Sequence, residues 1–117
     1  MTTDQGPHLL AEQVTPADVI AVRDFLQQRA DKLALAADFH SDTYRVSNAL
    51  QFAVAALAEP LLADLRLRTD ATGDVADLER GIAERWNHLV AIAGPWEDLP
   101  GHDGERWQTA TDASTAS

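Results

Sequence analysis

The sequence is poor in sulfur and in aromatic residues: it has no cysteine, one methionine, one tyrosine, three phenylalanines and three tryptophans. Without cysteine, the chain can form neither a disulfide nor a thiolate metal site. With few aromatic side chains, its core must come mainly from Leu, Val, Ile and Ala, and alanine and leucine favour helices over strands. At 117 residues the chain suits one domain. We therefore expect a single all-α domain.

Motifs for catalysis are also missing from the sequence. Gly101 and Gly104 follow no predicted strand and precede no predicted helix, so they do not resemble a phosphate-binding loop. Ser41 and Ser47 lack the glycine-flanked turn that exposes a nucleophilic serine. The sequence therefore predicts that the protein is not an enzyme, and a metal-binding or enzymatic helical bundle is kept as an alternative.

The histidines do not follow a metal-ligand pattern. His40 and His102 each have an aspartate within two residues, but neither pair has the helical spacing that places two ligands on one face. Glu84 and His88 are one turn apart and could share a hydrogen bond. We expect polar surface side chains at these positions, with no metal and no other cofactor.

The net charge of −10 makes nucleic acid a poor direct partner. Residues 1–8 lack the basic and apolar regions of a signal peptide. The apolar run Ala49–Ala58 is too short to cross a membrane and is followed by Glu59 and Pro60. We therefore expect a cytoplasmic protein that binds neither nucleic acid nor membranes.

Two segments have apolar residues at alternating steps of three and four, which indicates amphipathic helices. The first is predicted from Pro16 to about Phe39, with Thr15 as the N-cap and Asp18 near the positive helix end. The third helix is predicted from about Val75 to Ala93, with Asp74 as the N-cap and Gly94-Pro95 as the stop signal. The predicted core stripes are Val19, Val22, Leu26, Ala30, Leu33 and Ala37 in the first helix, and Val75, Leu78, Ile82, Trp86, Leu89 and Ala93 in the third.

The segment between them, Ala49–Ala58, is apolar on every side except at Gln51, so we expect it at the centre of the fold. Ser41 or Asp42 is predicted to cap this middle helix, and Pro60 to kink or break it. Asp64 and Arg68 have the spacing of an ion pair. The predicted core stripe is Val46, Leu50, Ala53 and Leu57.

Phe52, Val54 and Ala55 lie off that stripe and need a further cover. Three candidates are the Leu9–Val14 segment, the Trp96–Trp107 segment and a second copy of the protein. Together these features predict an antiparallel three-helix bundle over residues 15–107, with a flexible N-terminal arm (1–14) and a disordered tail (108–117).

The tryptophans of the last segment are the candidate binding residues. Trp96 and Trp107 carry large apolar areas in an irregular acidic stretch, so we expect them to pack on the bundle or to anchor a partner. Leu99 adds apolar area between them. We predict that the segment packs on the helices without regular structure, and we take Trp96, Leu99 and Trp107 as candidate partner-binding residues.

The same segment carries a resemblance. Pro95, Trp96, Asp98, Pro100 and the closing Trp107 resemble the C-terminal ending of small uncharacterised proteins of actinobacteria and their phages, in which an acidic Pro-containing turn follows the last helix. The matched residues, which also include Asp103, span about a fifth of the chain. Where such proteins often carry His before the proline, this chain has Leu99. The resemblance implies a lineage and no activity.

These observations favour a small soluble protein that acts by protein contact, with a protein partner or as a homodimer. An acidic inhibitor that occupies a basic nucleic-acid-binding surface is the main alternative, since the chain is rich in carboxylates.

Overall fold

The computed structural model describes residues 9–71, 73 and 75–111, and it confirms the predicted all-α, three-helix arrangement. The long helices are α1 (Pro16–Ala36), α2 (Asp42–Asp70) and α3 (Ala76–Ala93). Single 3-10 turns occupy Ala11–Gln13 and Gly94–Trp96. Helix α2 packs against both α1 and α3, and α1 makes a smaller contact with α3.

Helix α1 begins as its sequence predicts. The Thr15 hydroxyl accepts a hydrogen bond from the backbone N–H of Asp18 at 3.2 Å, and the Asp18 carboxylate accepts one from the backbone N–H of Thr15 at 3.1 Å. Pro16 occupies the first turn, where its missing N–H costs nothing. The buried side chains of α1 are Val19, Val22, Phe25, Leu26 and Ala30.

Helix α2 begins at the expected cap, because the Ser41 hydroxyl accepts a hydrogen bond from the backbone N–H of Tyr44 at 3.2 Å. The sequence predicts a kink or a break at Pro60; the helix continues through Pro60 to Asp70, so the break does not occur and the kink stays a prediction. Proline at this position leaves the carbonyl of Ala56 without its helical N–H donor. Ala56 is exposed, so water can take the place of that donor.

The core stripe of α2 differs from the prediction by one residue. The buried positions are Ser47, Val54, Ala58, Leu61 and Leu65. The predicted core residues Val46 and Ala53 are exposed, while Leu50 and Leu57 are half-buried at the edge of the core. This part of the helix has apolar residues on nearly every side, so their spacing did not identify which face turns inward. Ser47 fits the core because its hydroxyl donates to the backbone carbonyl of Ala30 at 2.8 Å.

Helix α3 follows its predicted stripe, with Ile82, Trp86, Leu89 and Ala93 buried. The predicted N-cap Asp74 lies outside the described residues. After Ala93 the chain tightens into the 3-10 turn at Gly94–Trp96, as the Gly-Pro stop signal favours.

Two short strands, which the sequence did not predict, join the ends of the described chain. β1 (Leu9–Leu10) pairs in parallel with β2 (Ala110–Thr111), with Leu9 opposite Ala110. The pairing extends the packed chain on both sides of the expected 15–107 domain. Residues 1–8 and 112–117 lie outside the described residues, so their expected flexibility stays a prediction.

Candidate interaction surface

Trp107, the last of the predicted binding residues, lies in the core with 6% of its surface exposed. Its ring meets Phe25 of α1 edge-on at 5.3 Å between centroids and meets His102 at 4.7 Å. Phe25 and His102 are themselves 5.7 Å apart, so the three rings form one cluster. Gly101, which precedes His102, has a φ of +97°, a conformation that glycine adopts without strain.

Trp96 and Leu99 are half-buried and pack against the helical core. The backbone N–H of Leu99 donates to the carbonyl of Trp96 at 3.0 Å, and that of His102 donates to Leu99 at 3.2 Å. Successive turns therefore fold this stretch back over the bundle. The prediction that the segment packs on the helices without regular structure is confirmed.

An ion pair ties the segment to the start of α1. The guanidinium of Arg106 donates to the Asp18 carboxylate at 2.7 Å and 3.2 Å. Desolvation raises the pKa of Asp18, but the hydrogen bonds from Arg106 and Thr15 outweigh it, so that pKa lies below its ordinary value. Asp18 thus both caps α1 and holds the C-terminal segment.

Two side chains of α3 bind the backbone that follows Trp107. The indole N–H of Trp86 donates to the carbonyl of Gln108 at 2.7 Å. The amide of Asn87 donates to the carbonyl of Ala110 at 2.9 Å and accepts from its N–H at 2.6 Å. The C-terminal segment is therefore part of the fold as far as Thr111.

The N-terminal segment is held by Arg68 of α2. Its guanidinium donates to the carbonyls of Ala11 at 2.7 Å and Val14 at 2.9 Å. The predicted pair of Asp64 with Arg68 is wrong, because Asp64 accepts instead from Arg85 of α3. Both terminal segments are thus docked at sites other than the off-stripe residue Phe52, which remains 77% exposed.

On the side of α2 that faces away from the core, several apolar side chains have no cover from the residues that the structure describes. Val46, Phe52 and Leu67 are 57%, 77% and 59% exposed. Ala63 follows the buried Val54 by nine residues, which is half a turn out of phase and so points away from the core. We call this surface the outer face of α2; its members are Val46, Ala49, Phe52, Ala53, Ala56, Pro60, Ala63 and Leu67.

Of the three off-stripe residues Phe52, Val54 and Ala55, which the sequence predicts to need a further cover, two are covered by the bundle itself. Val54 is fully buried within the bundle and Ala55 is half-buried. Phe52 is therefore the residue of the three that lacks a cover. It lines a shallow groove of about 330 Å³ together with Gln27, Asn48, Gln51 and Ala55.

Helix α2 is also long and apolar enough to cross a membrane by length and composition. One 18-residue window has a mean hydropathy of 1.4, and 22% of that window is buried. Hydropathy of this size does not separate a membrane helix from one that packs on protein. The window holds at most two charged residues, so the central part of α2 has few charges on any side.

The histidines and the remaining grooves of the described residues lie apart from the outer face of α2. Among residues 9–71, 73 and 75–111, no three His, Asp or Glu side chains are grouped closely enough to hold a metal ion. His40 contacts Phe39, with 4.0 Å between ring centroids, and His88 is exposed. A groove of about 470 Å³ is open and lined by Ala71, Val75, Asp77 and Leu78.

Comparison of the chain with protein-family models, curated proteins and solved structures finds no match. Its function is therefore inferred from its own surface. The sequence carried one signal for that surface: from Val46 to Leu67 the residues of the outer face other than Phe52 repeat at alternating steps of three and four. The neighbouring stripe of Leu50 and Leu57 has the same period, which is why periodicity could not distinguish the two.

Proposed function

We propose that this protein acts by binding another protein, and that the outer face of α2 is the binding surface. The observation that carries the proposal is the exposure of Phe52, a large aromatic side chain, within a strip of Val, Ala, Pro and Leu residues that Glu59 borders. Clustered exposed apolar residues mark interaction surfaces on soluble proteins. The proposal includes no catalytic role, no cofactor and no direct contact with nucleic acid or membrane.

The proposal moves the binding surface away from the predicted residues Trp96, Leu99 and Trp107. Trp107 is buried against Phe25, and Trp96 and Leu99 pack on the core. A side chain that already fills the core has little area left to offer a partner. The outer face of α2 has such area available.

The alternative of an acidic inhibitor receives less support from the surface. Such a protein needs dense carboxylates on one side, whereas the acids here are dispersed and many are paired with arginine. The paired acids in the described chain include Asp18, Asp24, Asp42, Asp64 and Asp77.

A photo-crosslinking amino acid placed at Phe52 tests the proposal in the cells that produce the protein. Leu35 is the matched control position, because it is 87% exposed, apolar and on α1. It follows the buried Leu26 by nine residues and so lies on the outer side of its own helix. We expect protein adducts from position 52 and few from position 35. Equal or absent adducts from both positions would contradict the proposal.

A further inference from the structure

We infer that the partner segment bound beside Phe52 is an extended, uncharged stretch of polypeptide. Its backbone is held by the side-chain amides of three residues that line the groove there, Gln27, Asn48 and Gln51. The inference rests on the proposed function and adds the conformation and the chemistry of the partner segment. It follows from the free hydrogen-bonding groups of the groove, from its length and from its lack of charge.

The groove beside Phe52 lies between α1 and α2. Gln27 comes from α1, and the other lining residues come from α2: Asn48, Gln51, Phe52 and Ala55. The aromatic ring of Phe52 is 77% exposed. The groove of about 330 Å³ therefore combines one large apolar contact with hydrogen-bonding groups from two helices.

The three amides have unused hydrogen-bonding capacity. Within the part of the chain that the structure describes, the side chains of Gln27, Asn48 and Gln51 bond to no other group. Each carboxamide has two N–H donors and one acceptor oxygen. A partner that covered them with apolar surface would leave these groups unpaired, which costs free energy. The partner segment must therefore supply donors and acceptors along the groove.

A carboxamide on a helix of this protein already binds an extended backbone. Asn87 of α3 donates to the carbonyl of Ala110 at 2.9 Å and accepts from the N–H of Ala110 at 2.6 Å. Ala110 belongs to the short strand β2. The donor and acceptor of one carboxamide thus match the carbonyl and N–H of one extended residue. The amides of the groove have the same chemistry and also project from helices.

A helical partner segment would use these amides poorly. The backbone N–H and carbonyl groups of a helix bond to one another, so few are free for a neighbouring side chain. An extended segment leaves its backbone groups available to the surface that binds it. Asn48 and Ala55 lie about 10 Å apart along α2, from seven residues at ~1.5 Å each. That length accommodates about three extended residues at ~3.3 Å each.

The lining of the groove favours an uncharged segment. None of the lining residues named above is charged, although 24% of the whole chain is. A charged side chain bound there would lose water without gaining an ion partner. Glu59 lies one turn beyond Ala55 and would repel an acidic segment at that end. An apolar side chain of the segment can instead lie on Phe52 while the backbone on either side bonds to the amides.

Random linear heptapeptides displayed in many copies on phage provide the first test, because multivalent display retains weak binders. The full chain is the bait, and we expect it to enrich uncharged peptides that contain an apolar residue. Phe52→Glu should abolish the enrichment. Enrichment of acidic peptides, or of no peptide at all, would overturn the inference.

The amides are tested with the selected peptides. The double variant Asn48→Ala/Gln51→Ala should lower the capture of selected clones at least tenfold. Gln28→Ala is the matched control, because it removes an exposed amide next to Gln27 that does not line the groove, and it should leave capture within twofold. Thermal melts verify that each variant stays folded. Equal capture by the double variant and the native chain would mean that the amides hold no backbone.

Backbone N-methylation separates hydrogen bonding from apolar contact. A methyl group on one peptide nitrogen of a selected peptide removes an N–H donor and keeps every side chain. Fluorescence polarisation should show at least tenfold weaker binding to the native chain for one or more methylated positions. The same methylation should matter less for the double variant, because the acceptors are already gone. Unchanged binding after methylation at every position would overturn the extended backbone.

Crosslinking from position 52 distinguishes failure of this inference from failure of the proposed function. A protein adduct together with failed peptide tests would keep the proposed function and remove the extended segment. The absence of any protein adduct would remove both. An adduct that maps to a helix of the partner, or to α2 of a second copy of this chain, would overturn the inference and leave the outer face of α2 as the binding surface.

Discussion

The side-chain amide of Asn87 and the backbone of Ala110 exchange two hydrogen bonds, at 2.9 Å and 2.6 Å, across 23 residues of sequence. The amide presents its donor and acceptor to β2 much as a neighbouring strand would. Helix α3 thereby satisfies backbone groups of a segment that has only two strand residues to pair with. Asn87 thus fixes the end of the C-terminal segment, while Trp86 and the Asp18–Arg106 pair hold the residues before it.

Asn87→Ala is expected to release that segment. Removing the amide leaves the N–H and carbonyl of Ala110 without these partners, and Ala110 is only 2% exposed. We expect a loss of about 1–3 kcal/mol in the free energy of unfolding. Urea melts measure the loss, and hydrogen exchange should accelerate at residues 108–111. The exposed neighbour His88→Ala is the control, and an equal response from both variants would contradict the assignment.

The pair of Asp18 and Arg106 predicts a pH dependence of stability. Because the pKa of Asp18 is lower in the folded chain than its ordinary value of 3.8, its ionised form stabilises the fold above that pH. This stabilisation is lost as the pH falls through the folded pKa. Asp18→Asn, which keeps an oxygen to accept the cap hydrogen bond, should be less stable at neutral pH. Its deficit should shrink as the pH falls from about 5 to about 2.

Asp24→Asn is the matched control for this experiment. Asp24 lies on α1 like Asp18 and pairs with Arg23, but its side chain is half exposed. Pairs of this kind contribute about 0–1 kcal/mol. Chemical denaturation at several pH values compares the two variants. A deficit for Asp18→Asn that stays constant down to pH 2 would mean that its charge contributes nothing to the fold.

The corrected phase of α2 predicts unequal costs for two leucine truncations. Leu61 is fully buried, so Leu61→Ala should cost about 2–5 kcal/mol of stability. Leu50 is half-buried at the core edge, so Leu50→Ala should cost clearly less. Urea melts of both variants provide the comparison. A larger loss at Leu50 would restore the stripe that the sequence first indicated.

Truncation after Pro95 tests how far the C-terminal segment supports the bundle. Without it, Phe25 loses the ring of Trp107 and the indole N–H of Trp86 loses its acceptor. Burying each large apolar side chain is worth roughly 1.5–3 kcal/mol, so the Tm should fall by several degrees. A chain that ends after Thr111 is the control and should melt like the full chain. An unchanged Tm in the chain that ends after Pro95 would show that the segment contributes nothing to the stability of the bundle.

Sequence reasoning located α1 and α3 well because each has one apolar stripe bordered by charged residues. It also identified the caps at Thr15 and Ser41, since these depend on local hydrogen bonds. It misplaced the inner face of α2 because alanine and leucine occupy almost every side of that helix. In such a segment the inward face is chosen by packing between helices, which periodicity does not encode.

The long-range polar contacts were beyond local reasoning for a different reason. Asn87, Arg68 and Arg106 bind backbone or side-chain groups 23 to 93 residues away. Each looks like an ordinary exposed polar residue in the sequence. The tryptophans could be expected to pack, since their apolar area requires it, but the anchors that hold their segment became visible only in three dimensions.

The parallel pairing of Leu9–Leu10 with Ala110–Thr111 makes the backbone nearly circular. Because Leu9 and Ala110 lie side by side, a short linker between the two strands could join them, and the chain could be opened elsewhere without moving a helix. The turn at Asp38–Ser41, between α1 and α2, is a suitable place for the new ends. A circularly permuted protein cut there would keep α2 intact and would carry its new ends, with any label attached to them, between α1 and α2.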